Sequence, residues 1–128
     1  MKELNFLVVE NSITSRKIIV NCLKKMGCTF IVEATDGKDA LGKMYTENIS
    51  FIITEWIMPS MDGLEFVKVV KEEISFKEIP ILMITTRGRK GDILTALKAG
   101  VDNFIIKPLT PMVLKEKINA ILEKKQSK

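Results

Sequence analysis

Residues 51–63 read FIITEWIMPSMDG. The opening FIIT is an unbroken run of strand-forming residues. Glu55 closes it, and Pro59 and the Asp62-Gly63 pair punctuate the loop that follows. An apolar run without polar alternation belongs to a strand covered by helices on both faces, as in a parallel sheet. A carboxylate at the tip of such a strand is costly to bury without a partner, so Glu55 must be held by something or do something.

Outward from this strand, apolar runs of strand length alternate with segments of helical period. Residues 4–10 (LNFLVVE) read as a first strand. Residues 12–27 (SITSRKIIVNCLKKMG) read as a helix with Ile13, Ile18, Ile19, Cys22, Leu23 and Met26 as its apolar face and Gly27 as its stop. FIVEA (30–34) is a second strand, and residues 36–48 form a helix opened by Asp36 and Gly37. After the Pro59 loop come a helix over 63–73 and a strand over 79–86 entered at Pro80. A shorter helix over 91–100 stops at Gly100, and DNFIIK (102–107) is the fifth strand. The last helix, 110–125, has Thr110 as its cap and Pro111 at its first position. This alternation predicts an α/β fold, an open, doubly wound parallel sheet built by right-handed crossovers.

With 128 residues, 46% hydrophobic and 28% charged, the chain reads as one soluble domain over 1–128. No apolar run reaches the roughly 18 residues of a membrane span, and MKELNFLVVEN lacks a signal-peptide layout, so a cytoplasmic protein is expected. Met1 and the basic end, EKKQSK, give the expectation of a complete chain. Cys22 and Cys28 form no CxxC pair and read as free thiols. The chain has no histidine, which excludes imidazole catalysis, Ser-His-Asp triads and His-ligated zinc. The net charge of +4 is spread over several segments, which favours an acidic protein partner over nucleic acid.

In an open parallel sheet, ligands bind outside the carboxyl ends of the strands. Those ends carry Glu10-Asn11, Glu55, Thr85-Thr86 and Lys107-Pro108. Singly, each is an ordinary turn or cap residue. Together they suit phosphoryl chemistry: a carboxylate as acceptor, carboxylates for Mg²⁺, and a hydroxyl and a lysine for the remaining oxygens.

With these segments in place, LNFLVVEN, ATDGKDAL, ITEWIMPSMDGLEF, IPILMIT, LKAGVDNFIIKP and the final helix resemble a response-regulator receiver domain of the stand-alone, CheY-like chemotaxis type. The resemblance covers nearly the whole chain. It implies the flavodoxin-like (βα)5 fold with strand order 2-1-3-4-5, an order known for this family. It places the phosphoacceptor on Glu55, where the family has Asp. The phosphoryl-binding hydroxyl falls on Thr85, the lysine on Lys107, and Pro108 follows a bond that is typically cis. The metal set would be Glu10, Asn11, Glu55 and the Ile57 backbone carbonyl. Asn11 stands where the family has a second acid, so the resemblance implies Mg²⁺ held weakly, if at all. The switch pair would be Thr85 and Phe104, the latter often Tyr in the family. The implied partners are signalling proteins: a histidine kinase, a flagellar motor component or another regulator. They would dock on the face of the fourth helix, fifth strand and fifth helix through Lys90, Thr95, Lys98, Phe104 and Lys115. No nucleic acid, no membrane insertion and a monomeric, non-enzymatic protein are implied.

Glu55 adds a methylene, moving its carboxylate outward by more than about 1 Å. Misplacing a reacting group by about 1 Å costs on the order of 100-fold in rate, so loss of phosphotransfer is expected. The longer acid either mimics a phosphorylated Asp by accepting from Lys107 and Thr85, or forms a plain salt bridge in an inert site. Two rivals stand beside this reading: a working Mg²⁺-dependent phosphoacceptor in a phosphorelay, and a flavodoxin-like cofactor binder. Trp56 and Met58 read equally well as exposed anchors or as loop packing. Arg87, Arg89 and Lys90 read as a solvated basic loop, or as groups reaching Glu55 or an acidic partner.

Overall fold

A computed structural model describes residues 3–126. Met1 and the last two residues of the basic end, Ser127 and Lys128, lie outside them. Five strands alternate with five helices: β1 Asn5–Val9, α1 Ile13–Lys25, β2 Phe30–Ala34, α2 Gly37–Thr46, β3 Phe51–Thr54, α3 Gly63–Glu72, β4 Ile81–Thr85, α4 Lys90–Ala99, β5 Asn103–Ile106 and α5 Pro111–Gln126. The sheet is wholly parallel in the order β2-β1-β3-β4-β5, as the resemblance implied.

The pleat explains why helices cover both faces. Alternate residues of β1 face opposite sides, so Phe6 and Val8 join one core while Leu7 and Val9 join the other. The first core carries Ile19 and Leu23 of α1 and Leu114, Ile118 and Ile121 of α5. The second carries Ala40 and Met44 of α2, Phe66, Val67 and Val70 of α3, and Ala96 of α4. The inner strands β3 and β4 are buried along their whole length, which is why they read as unbroken apolar runs.

Helix starts follow local chemistry. Ser12 Oγ accepts from Ser15 N–H at 3.2 Å, Asp36 from Asp39 at 2.9 Å and Thr110 from Val113 at 3.2 Å. Asp62 and Glu65 form a reciprocal capping box at the start of α3. Asp62→Ala is therefore expected to lower stability by about 1 kcal/mol in urea denaturation, without a change in slope. Gly27 and Gly100 end α1 and α4 in the left-handed region, at φ +91° and +117°.

One sequence expectation fails in α1. Ile13 and Ile18 are 62% and 47% exposed, so they do not belong to its buried face. Ile13 lies in the first turn, beyond the carboxyl end of β1. Ile18 points about 100° away from its buried neighbour Ile19, toward Pro108 and Leu109.

Candidate functional site

The carboxyl ends of β1, β3 and β5 converge, and their charges meet on one atom. Lys107 Nζ donates to Glu10 Oε1 at 2.6 Å and lies 2.9 Å from Glu55 Oε1. The three side chains are 17%, 4% and 7% exposed, so water competes little for these bonds. The outer oxygens are also occupied. Glu10 Oε2 accepts from Ser12 N–H at 3.1 Å, and Glu55 Oε2 accepts from Trp56 N–H at 2.7 Å and Ile57 N–H at 3.3 Å. Burial by itself would lower the lysine pKa, but the bonds and charges of Glu10 and Glu55 outweigh it and hold the ammonium above its ordinary range.

The remaining residues are placed as follows. Thr85 is fully buried, and its hydroxyl accepts from Arg87 N–H at 3.3 Å. Thr85 makes no hydrogen bond to Glu55, so the contact expected of a phosphate mimic is absent in this arrangement. Asn11 is exposed, and its amide donates to the Thr35 carbonyl at 3.4 Å, in the β2–α2 loop. The Lys107-Pro108 bond is cis. Lys90, Thr95, Lys98 and Lys115 are exposed. Phe104 is buried at 8% exposure in the core beneath that face, beside an open groove of about 450 Å³ edged by Ile93, Ile106 and Lys117. A phenyl ring lacks a hydroxyl to satisfy, so burying it strands no polar group.

Trp56 and Met58 are buried, so packing accounts for them. Over Trp56 lies the Arg87 guanidinium, 4.3 Å from the ring centroid, with Nε paired to Asp92 at 3.0 Å. Arg89 and Lys90 are exposed. Arg16 is a residue that sequence reasoning missed: its Nη1 donates to the Glu10 carbonyl at 2.7 Å and its Nε to Glu33 at 2.9 Å. Its position one turn into α1, directly after an acid-tipped strand, was the available signal.

This fold, with an acid-and-lysine cluster at the carboxyl edge of a 2-1-3-4-5 sheet, defines the receiver class of signalling domain. The response regulator receiver domain family matches residues 6–119, and the chain belongs to that family. It is 48% identical over 120 residues to chemotaxis protein CheY1 of Helicobacter pylori (strain ATCC 700392 / 26695), covering 93% of this chain and 97% of that protein. The solved chemotaxis protein CheY4 of Vibrio cholerae superposes with a TM-score of 0.86 at 30% identity, over 92% of this chain and 98% of that one. A CheY of Borrelia burgdorferi, solved as a CheX-CheY-BeF3-Mg complex, gives a TM-score of 0.87 at 26% identity, over 93% and 89% of the two chains. The chain is thus a receiver domain homologous to the CheY chemotaxis response regulators of two-component signalling. Among the described residues no helix is long and apolar enough to cross a membrane.

Receiver domains generally bind Mg²⁺ at the phosphorylation site. The residues here do not fit it as they stand. Every oxygen of Glu10 and Glu55 already accepts a hydrogen bond, and Asn11 is turned to Thr35. Among the described residues no group of three or more acids, cysteines or histidines is placed to hold a metal ion.

Proposed function

We propose that this chain signals by binding a protein partner in a chemotaxis-type pathway, without phosphotransfer to its own acceptor position and without turnover. One observation carries the reading. The acceptor-equivalent side chain is a glutamate, buried, with both carboxylate oxygens already bonded, one to Lys107 and one to the Trp56 and Ile57 amides. A carboxylate in that arrangement is neither free nor correctly placed to attack phosphorus. Glu55 takes the Lys107 contact that a phosphoryl group would take, while Thr85 stays on Arg87, so the carboxylate is a partial substitute that keeps the domain in one state. The partner is an acidic signalling protein in the cytoplasm. It meets the exposed Lys90, Thr95, Lys98 and Lys115 on the α4-β5-α5 face of a single, monomeric receiver domain over 1–128.

Intact-mass spectrometry after incubation with acetyl phosphate and Mg²⁺ tests the reading. The wild-type chain is expected to gain no phosphoryl mass, and Glu55→Asp, with the shorter acid, to label at least about 100-fold faster. Labelling of the wild-type chain on Glu55 would establish a working phosphoacceptor instead.

A further inference from the structure

We infer that Lys107 is this site's resident cation: its ammonium, seated against both Glu10 and Glu55, supplies the positive charge these acids need, and the site functions without metal. The inference rests on Glu55 being the acceptor-equivalent residue. Its geometry is independent of any phosphoryl chemistry.

Two carboxylates from different strands aim one oxygen each at a single nitrogen, at 2.6 and 2.9 Å. Both acids are glutamates, so each reaches further inward than an aspartate would, and both ends arrive at the ammonium. Their second oxygens are tied back to the Ser12, Trp56 and Ile57 amides, so neither carboxylate can swing out without breaking backbone bonds. Mg²⁺ demands oxygens at about 2.0–2.1 Å in an octahedron and keeps several waters. That shell cannot be accommodated where an ammonium already touches both acids. A divalent ion would also face the lysine charge at contact range in a poorly hydrated setting. The third acid that would add attraction is absent, because Asn11 is neutral and bonded to Thr35. In this chain the cation is covalently attached and set by the sheet.

The consequence is an inversion. Removing the lysine charge, not adding metal, should open a metal site, because it leaves two buried carboxylates facing each other with no counter-charge. Trp56, the one tryptophan, donates its amide to Glu55 and so reports on the site. We would titrate MgCl₂ into the full chain at constant ionic strength, following Trp56 fluorescence and melting temperature, with Lys107→Met and Lys107→Gln alongside.

The wild-type chain is expected to show no saturable response. Both variants are expected to respond saturably and to melt higher in Mg²⁺, with at least about 10-fold tighter binding than wild type. A saturable wild-type response within 10-fold of the variants' affinity overturns the inference. So does a flat response from both variants, or their failure to fold even in saturating Mg²⁺. This outcome separates from the functional reading. A wild-type chain that is phosphorylated yet ignores Mg²⁺ would break that reading and leave this one, while one that binds Mg²⁺ and stays unphosphorylated would do the reverse.

Discussion

Replacing Lys107 with methionine is expected to destabilise the domain by about 3–5 kcal/mol in metal-free urea denaturation, the usual cost of removing one partner from a buried ionic cluster. Methionine keeps most of the aliphatic stem, so packing changes little and the loss reports the charge. What remains is two carboxylates, 4% and 7% exposed, each with one oxygen lacking a donor. If the loss is instead under about 1 kcal/mol, the cluster is effectively solvated, as exposed pairs are. Neutralising both acids in the same background, as Glu10→Gln and Glu55→Gln, is expected to return most of the stability, because no charge then remains unpaired. The wild-type cluster also fixes an alkaline limit. The folded-state pKa of Lys107 is raised, so its contribution is fully present below the ordinary lysine value near 10.5 and is lost as pH climbs through the higher folded value. Lys107→Arg, which holds its proton far longer, should move that alkaline loss upward.

A comparable loss, about 3 kcal/mol, is expected from adding one methyl group to Gly63. A Cβ there would lie 2.0 Å from the Glu55 carbonyl oxygen, 2.8 Å from Trp56 Cα and 2.9 Å from the Glu55 carbonyl carbon. These neighbours are backbone, so they cannot rotate away. Gly63 N–H also donates to the Trp56 carbonyl at 2.7 Å, which pins the start of α3 onto the segment carrying Glu55. Gly63→Ala must push these chains apart, and with them the amides that hold the Glu55 carboxylate. Near-ultraviolet circular dichroism of Trp56 should therefore change along with the denaturation midpoint. Gly42→Ala supplies the contrast. It lies within α2 with open space around it, and there the methyl group should stabilise by about 0.5–1 kcal/mol through helix propensity. Equal effects at the two positions would mean that the close approach at Gly63 is not what constrains it.

Much of the fold was legible in the sequence because its signals are short-ranged. Ser12, Asp36 and Thr110 each bond an amide three residues on, so their helix starts can be read locally. Burial on both faces wrote itself into FIIT and ILMIT as missing polar alternation. The meeting of Glu10, Glu55 and Lys107 was legible one step further, since a parallel sheet brings the carboxyl ends of its strands to one edge. What the periodicity of α1 could not carry was where the sheet stops. Ile13 and Ile18 keep helical spacing with the buried residues yet lie outside the covered area.

The sequence by itself therefore determined the order of elements, their caps and the cast of charged groups at the site. Only the tertiary structure decided which atoms pair: Lys107 with both acids, Thr85 with Arg87 and not Glu55, Asn11 with Thr35, Arg87 over Trp56. The reason is physical. Lys107 and Glu10 stand 97 residues apart, and a bond between them depends on distances of tenths of an ångström and on burial. Those are set only when the whole sheet has closed around them.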